Sequence, residues 1–594
     1  MAGNANFPVW TDLIRSDQSL GTQSITQAGR VYSNTAGGAE IFGYADARMP
    51  ESGKYYWEIY VNTRGSSTAS IGISSEDQYI NNYSTHKDFF NYTGPGSHDN
   101  EKPIYGNNGK IWYGDTSTLT GLATWTTGDI ISVAVDCDNN KVFWAKNNTW
   151  VNSANPSTGT TGGIAFQYDP AEGFTNLPTL VHYQSGVYTC NFGQDSSFCG
   201  AKSTGTANSA DGNGYGDFYY APPTNYLALC SANTPTGTGV DVAEDEDKQS
   251  LKLCNTGIYT GTGTTRSITG VGFQPDFILI SQRTTATTTA NNYIFDSSRG
   301  VQKYVLTNEY AAEATDSNSV TAFGTDGFSL GSSSNVNSSS LPDKFTFAAW
   351  KCNGGTTSTN TQGTITTTVQ VNDEAGFSII TYAGNSTSGA TIGHGLSKKP
   401  NMFWIKCLNN GEYWANYSYT MTANKYLMLS ENNAVGDNSN RFNDTEPTAT
   451  VITLGNSGNT NETGRNYVCY AWHHVGGFFH SGVFKGNANA DGAFCPLDFT
   501  PQVLILKQMG GADDWGMYTN PNQTNPGANP LELVQRLEST NGEQGSTGGR
   551  QIDFLARGFK LRTSNSTFNE SDHYFYAAWG RLPAKFPNAF GGNF

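Results

Sequence analysis

The chain has 594 residues and a net charge of −16, with 14% charged, 36% hydrophobic and 13% aromatic side chains. That is enough apolar material for several cores, and the acidic balance repels phosphate backbones and anionic membrane surfaces, which excludes nucleic acid as a partner. No apolar run approaches the roughly 18 residues of a membrane helix, which argues against membrane insertion, and "MAGNANFPVW" lacks the basic and apolar regions of a secretion signal.

The polar remainder is dominated by Gly, Ser, Thr and Asn, which favours strands and turns and predicts an all-β protein. Nine cysteines without a C-x-x-C pair predict reduced, buried thiols in place of a disulfide or zinc framework. No cofactor is expected.

Taken from the start, "GKYYWEIYV" (53–61) alternates around Trp57 as a half-buried strand, and "ASIGIS" (69–74) follows it. A long insert without strand alternation carries Tyr83, Phe89, Phe90 and Tyr92. Aromatics on a scaffold-held loop are common contact residues, and these four are the candidate ligand-binding residues; pinning the loop or contacting another subunit are the alternatives. "GDIISVAVDCDNNKVFWAKNNTW" is two strands joined by a polar turn, then a second turn at Asn147 and Asn148. "GKYYWEI", "GDIISVAVD…KVFWAKN" and "NFGQ" occur in that order, and with them residues 1–198 resemble a SPRY domain, a concanavalin-like β-sandwich. The resemblance implies a module that recognises peptides or surfaces with loops at one edge, and not an enzyme.

Residues 199–256 read as a connector, rich in small polar residues and ending in the acidic run Glu244 to Asp247. Asp211, Asn213 and Asp217 have calcium-loop spacing, but Tyr215 and Pro222 occupy positions where ligands are needed. Then three landmarks recur. Tyr259, Tyr382 and Phe484 each have glycine two residues later; Pro275, Pro400 and Pro501 each open an apolar run; Trp350, Trp472 and Trp579 each close an aromatic strand. The proline-to-tryptophan intervals are 75, 72 and 78 residues. This is an internal repeat, divided as 257–365, 366–478 and 479–594. Each copy is expected to form a β-sandwich in which the proline run pairs beside the tryptophan strand and the tryptophan lies in the core.

Ser329 in "GFSLG" matches a nucleophile-elbow pattern, but the chain is not α/β and the third repeat has "GFKLR", so Ser329 reads as a solvent-facing strand residue. His473, His474 and His480 read as linker residues, because adjacent strand histidines face opposite ways and do not share a metal; no metal site is expected. A glycanase would need paired carboxylates, and "AEDEDK" (243–248) sits in the connector.

The SPRY-like region, "YAPPTNYLALC" and units carrying "FQPDFILI", "FDSSRG" and "FAAW" together resemble structural proteins of tailed bacteriophages, especially marine ones. The resemblance implies a virion protein, most readily a tail fibre that meets a host-surface glycan or protein. Capsid decoration or head fibre is the first alternative and a glycan-degrading tailspike the second. It also implies other virion proteins as partners, a homotrimer, and assembly in the bacterial cytoplasm, consistent with the thiols and the missing signal. The aromatic tail Lys585 to Phe594 either docks on a neighbour or frays.

Overall fold

The computed structural model describes residues 7–11, 23–34, 40–45, 47–50, 52–65, 68–75, 103–113, 116–166, 176–183, 185–203, 209–230, 232–233, 250–283, 291–339, 344–497, 499–520, 528–545, 549–555 and 557–583. Tyr83, Phe89, Phe90, Tyr92, the run Glu244 to Asp247 and the tail Lys585 to Phe594 lie outside these residues. The protein is all-β, as its composition requires, and its described residues divide into two compact units, one up to residue 233 and one from residue 250 to 583.

The first unit is a sandwich of two antiparallel sheets. One runs, in spatial order, Trp10–Thr11, Glu40–Ala45, Asn176–Tyr183, Ala69–Ser75, Ile104–Gly106, Lys110–Tyr113, Thr116–Leu119. The other is built around Ile130–Asp136, Lys54–Thr63 and Gly186–Asn191. Trp57, Ile59, Val133 and Trp144 of the second pack on Ile71, Leu180 and Tyr105 of the first, and the Trp144 indole N–H donates across the core to the Ile71 carbonyl at 2.8 Å.

The strand Lys54–Thr63 is not half-buried as its alternation predicts: Tyr55, Tyr56, Trp57, Glu58 and Ile59 are all buried. The cause is the segment read as a connector. Its Phe218, Tyr226, Ala228 and Cys230 pack on Tyr56, Ala134 and Phe143, covering the sheet's outer face. Leu227–Ala228 adds a parallel strand beside Tyr55 and Tyr56. Asp211 organises this cover: one carboxylate oxygen accepts from the Asn213 and Tyr215 amides and the other from the Ala228 amide and the Asn233 side chain.

In the second unit each repeat builds the same sheet. An opening strand (Cys254–Thr260, Phe377–Ala383, Phe479–Lys485) pairs with the tryptophan strand (Lys344–Trp350, Asn466–Trp472, His573–Pro583). The tryptophan strand pairs in turn with the proline-run strand (Phe277–Gln282, Met402–Cys407, Phe499–Gln508), as the sequence predicts, and a further strand (Asn292–Asp296, Ala415–Ser418, Trp515–Thr519) follows. The opening aromatic stacks on its cross-strand partner each time: Tyr259 on Phe345, Tyr382 on Tyr467 and Phe484 on Tyr574, with centroids 5.2, 5.1 and 5.2 Å apart.

The glycine two residues on has a specific cause. A Cβ at Gly261, Gly384 or Gly486 would lie 2.1, 2.4 or 2.0 Å from the carbonyl oxygen of Ser338, Glu462 or Glu570. The residue before each carbonyl is a buried asparagine, Asn337, Asn461 or Asn569, which accepts from the Thr262, Asn385 or Asn487 amide and donates to the Gly331, Gly455 or Thr563 carbonyl. The recurrent aromatic-x-Gly is therefore where the chain closes down on a buried amide.

The tryptophans do not sit in three separate cores. Trp579 packs on Trp350 at 5.2 Å and on Trp472 at 5.9 Å, and Phe277 of the first repeat packs on Trp472 of the second at 6.2 Å. The repeats also latch cyclically at one register position, where the fourth strand begins. Trp414 donates its indole N–H to Leu306 of the first repeat, and Trp515 donates to Met428 and Glu431 of the second. Asn292 of the first donates to Arg536 and Leu537 of the third, which closes the ring. Arg283 and Glu543 add an ion pair at that closing junction, at 2.6 Å.

Candidate functional site

The site is assembled on the first unit where the hairpin leaving Lys141–Lys146 meets the loop before Ile130–Asp136. Gly121, Leu122 and Ala123 form one wall; Lys146, Thr149, Trp150 and Asn152 form the other, around an open cavity of about 630 Å³, within the size range of small-ligand sites. The sequence dictates this shape through turn chemistry. Asn147 and Asn148 have φ of 46° and 67°, the left-handed pair that a two-residue hairpin turn requires. Asn152 and Ser153 then repeat the conformation at 58° and 51°. Two left-handed pairs within one short segment are unusual for residues other than glycine, and such outliers concentrate at binding sites.

The wall is held by polar contacts beneath it. The Asn147 side chain accepts from the Ile130 amide at 2.8 Å and donates to Asp129 at 2.7 Å. Lys146 donates to the Thr124 carbonyl at 2.8 Å and pairs with Asp129 at 3.2 Å. A half-buried indole, an amide, a hydroxyl and one ammonium therefore border a groove whose backbone is fixed. Such groups can hydrogen-bond hydroxyls and carbonyls and can stack on an apolar ring face.

The four aromatics expected to bind lie outside the described residues, so the structure does not relate them to this groove. The turn at Asn147 and Asn148 was legible in the sequence; its role as a wall was not, because the facing wall comes from residues about two dozen positions earlier. Ser329 is half-buried on its strand with its hydroxyl 3.1 Å from that of Ser267, a cross-strand pair.

His473 and His474 lie between the second tryptophan strand and the third opening strand, as read, while His480 is within that opening strand; all three are buried. The His474 and His480 rings meet at 5.1 Å, and His480 shares a hydrogen bond with Tyr576. Burial pushes His473 below its ordinary range. Among the described residues no group of three or more potential ligands could hold a metal ion. The cysteines are all unpaired, and eight of the nine are buried.

Two family models match the chain. The SPRY domain model matches residues 54–195, the sandwich that carries the groove. The model of a domain of unknown function, DUF7483, matches residues 249–583, so one family covers all three repeats and the ring they close. The chain belongs to the DUF7483 family. No curated protein matches it. Among solved structures, the SPRY domain of human HERC1 is 15% identical with a TM-score of 0.21, covering 30% of this chain and 96% of that one. The TRIM65 PSpry domain is 9% identical with a TM-score of 0.20, covering 31% and 91%.

Proposed function

We propose that this chain is a non-enzymatic structural protein of a tailed-bacteriophage virion, a tail fibre or comparable appendage that touches the host surface. The observation that carries the binding role is the groove beside Trp150, whose two left-handed turns are fixed by hydrogen bonds before any ligand arrives. Preorganisation of this kind lowers the entropy cost of binding. The virion context rests on the resemblance of the SPRY-plus-repeat sequence to phage structural proteins. In this reading the partners are other virion proteins and a host glycan or surface protein, and the protein assembles as a homotrimer.

Immunogold labelling of intact particles with antibody against residues 1–198, viewed by negative-stain electron microscopy, tests the placement. Gold on the tail or its fibres is the expected result. Gold on the head would transfer the reading to capsid decoration, and unlabelled particles would overturn a virion role.

A further inference from the structure

Four large apolar side chains are exposed among the described residues, and two of them lie side by side: Tyr310, 56% exposed, and Tyr413, 39% exposed, with ring centroids 5.7 Å apart. They come from different repeats, Tyr310 from the loop after the strand Lys303–Leu306 of the first and Tyr413 from the approach to the fourth strand of the second. We propose that this pair is a stacking platform for the pyranose rings of a neutral glycan, a second binding site separate in sequence and fold from the SPRY groove.

Three observations carry it. First, the pair is not needed to close the ring. Strand register makes Tyr413 equivalent to Asn291 in the first repeat and to Asp514 in the third. Those junctions latch through Asn292 and Trp515 as this one does through Trp414, with an amide or a carboxylate at the tyrosine's position. Exposed aromatic surface that folding does not require marks an interaction site.

Second, both tyrosines are held from below. The Tyr310 carbonyl accepts from the buried Lys406 ammonium at 3.0 Å, the Tyr413 carbonyl accepts from Asn459 at 2.8 Å, and Trp414 is anchored on Leu306. The Tyr310 ring lies over Gly411, where even a Cβ would come within 3.3 Å of it. The backbone beneath the rings is thus fixed, so little ordering entropy remains to be lost on binding.

Third, the residue next to Tyr413 in the chain belongs to a charged cluster suited to a sugar. Glu412, adjacent to Tyr413, is paired with Arg465, which also pairs with Glu462 at 2.8 Å. Carboxylates and a guanidinium accept from and donate to equatorial hydroxyls, while the C–H face of a pyranose lies on an aromatic face. The net charge of −16 disfavours polyanionic glycans, which leaves neutral ones.

The test uses the full-length protein and four probes, maltohexaose, cellohexaose, chitohexaose and mannohexaose, titrated by isothermal calorimetry. Binding of at least one is expected, weakened tenfold or more in Tyr310→Ala/Tyr413→Ala. The thermal midpoint should not move, because both rings are exposed. Val301→Ala, an exposed apolar side chain elsewhere in the same unit, should bind as wild type does. The proposal is overturned if wild type binds none of the four, if the double variant binds equally well, or if Val301→Ala weakens binding as much as the double variant does. None of these outcomes depends on where the protein sits in a virion.

Discussion

Removing the indole of Trp579 distinguishes one shared core from three separate ones. The side chain is fully buried and touches Trp350, Trp472 and Phe479 at 5.2, 5.9 and 5.1 Å, so it contacts all three repeats. Trp→Ala in a closed core costs about 3–5 kcal/mol in lost transfer and cavity terms. Its indole N–H is buried with no hydrogen-bond partner among the described residues, so truncation also relieves an unsatisfied donor, worth about 1–3 kcal/mol. The net expectation for Trp579→Ala sits at the low end, about 3 kcal/mol, or a folding equilibrium constant about 150-fold lower.

Native-state hydrogen exchange read by mass spectrometry is the assay. With a shared core, protection falls together in all three tryptophan strands, Lys344–Trp350, Asn466–Trp472 and His573–Pro583. Loss confined to the last strand, with the first two unchanged, would refute the common core and restore independent sandwiches.

His394 is fully buried, with Nδ1 accepting from the Leu396 amide at 3.1 Å and Nε2 against the Thr448 carbonyl at 3.2 Å, and burial pushes its pKa down to about 4. Below pH 6.5 the unfolded chain takes up a proton that the native site refuses, so stability falls with pH, by about 2 kcal/mol at pH 5; chemical denaturation at pH 7 and pH 5 should show this, with the slope flattened in His394→Gln. Glu58 has the opposite sign: burial pushes it up to about 7, although the Tyr219 and Tyr220 amides, Tyr56 and Asn191 all donate to it. Its native proton is retained where the unfolded chain has released one, so the protection factors of residues 217–228, with the base-catalysed intrinsic rate divided out, should fall as pH rises from 5 to 7.5, a trend absent in Glu58→Gln. Gly384→Ala would drive a Cβ to 2.4 Å from the Glu462 carbonyl and should cost about 1–3 kcal/mol by denaturation, because backbone and not a movable side chain is in the way.

The repeat was readable because its landmarks are residues with narrow structural uses: a proline at a strand entrance, a glycine under a carbonyl, a tryptophan closing an aromatic strand. Pairing between the proline-run and tryptophan strands followed from that spacing. The ring did not, since its latches are Trp414, Trp515 and Asn292, an indole twice and an amide once, and their equivalence shows only through strand register. The buried asparagines Asn337, Asn461 and Asn569 are identical, but their distance to the tryptophan varies with the loop between, which hides them from a fixed-interval search. The cover over Lys54–Thr63 was misread for a compositional reason: Phe218, Tyr226 and Cys230 are few apolar residues scattered among many small polar ones.

The cyclic latch also removes meaning from the order of the repeats. The first strand of the second unit, Cys254–Thr260, lies against the last, His573–Pro583, and Gln502 of the third repeat donates to Asn255 of the first at 3.0 Å. A ring has no beginning; a chain opened between the second and third repeats and joined across the old ends would specify the same body. What evolution could vary independently is therefore each junction, and among the described residues only the first-to-second junction carries a pair of exposed tyrosines.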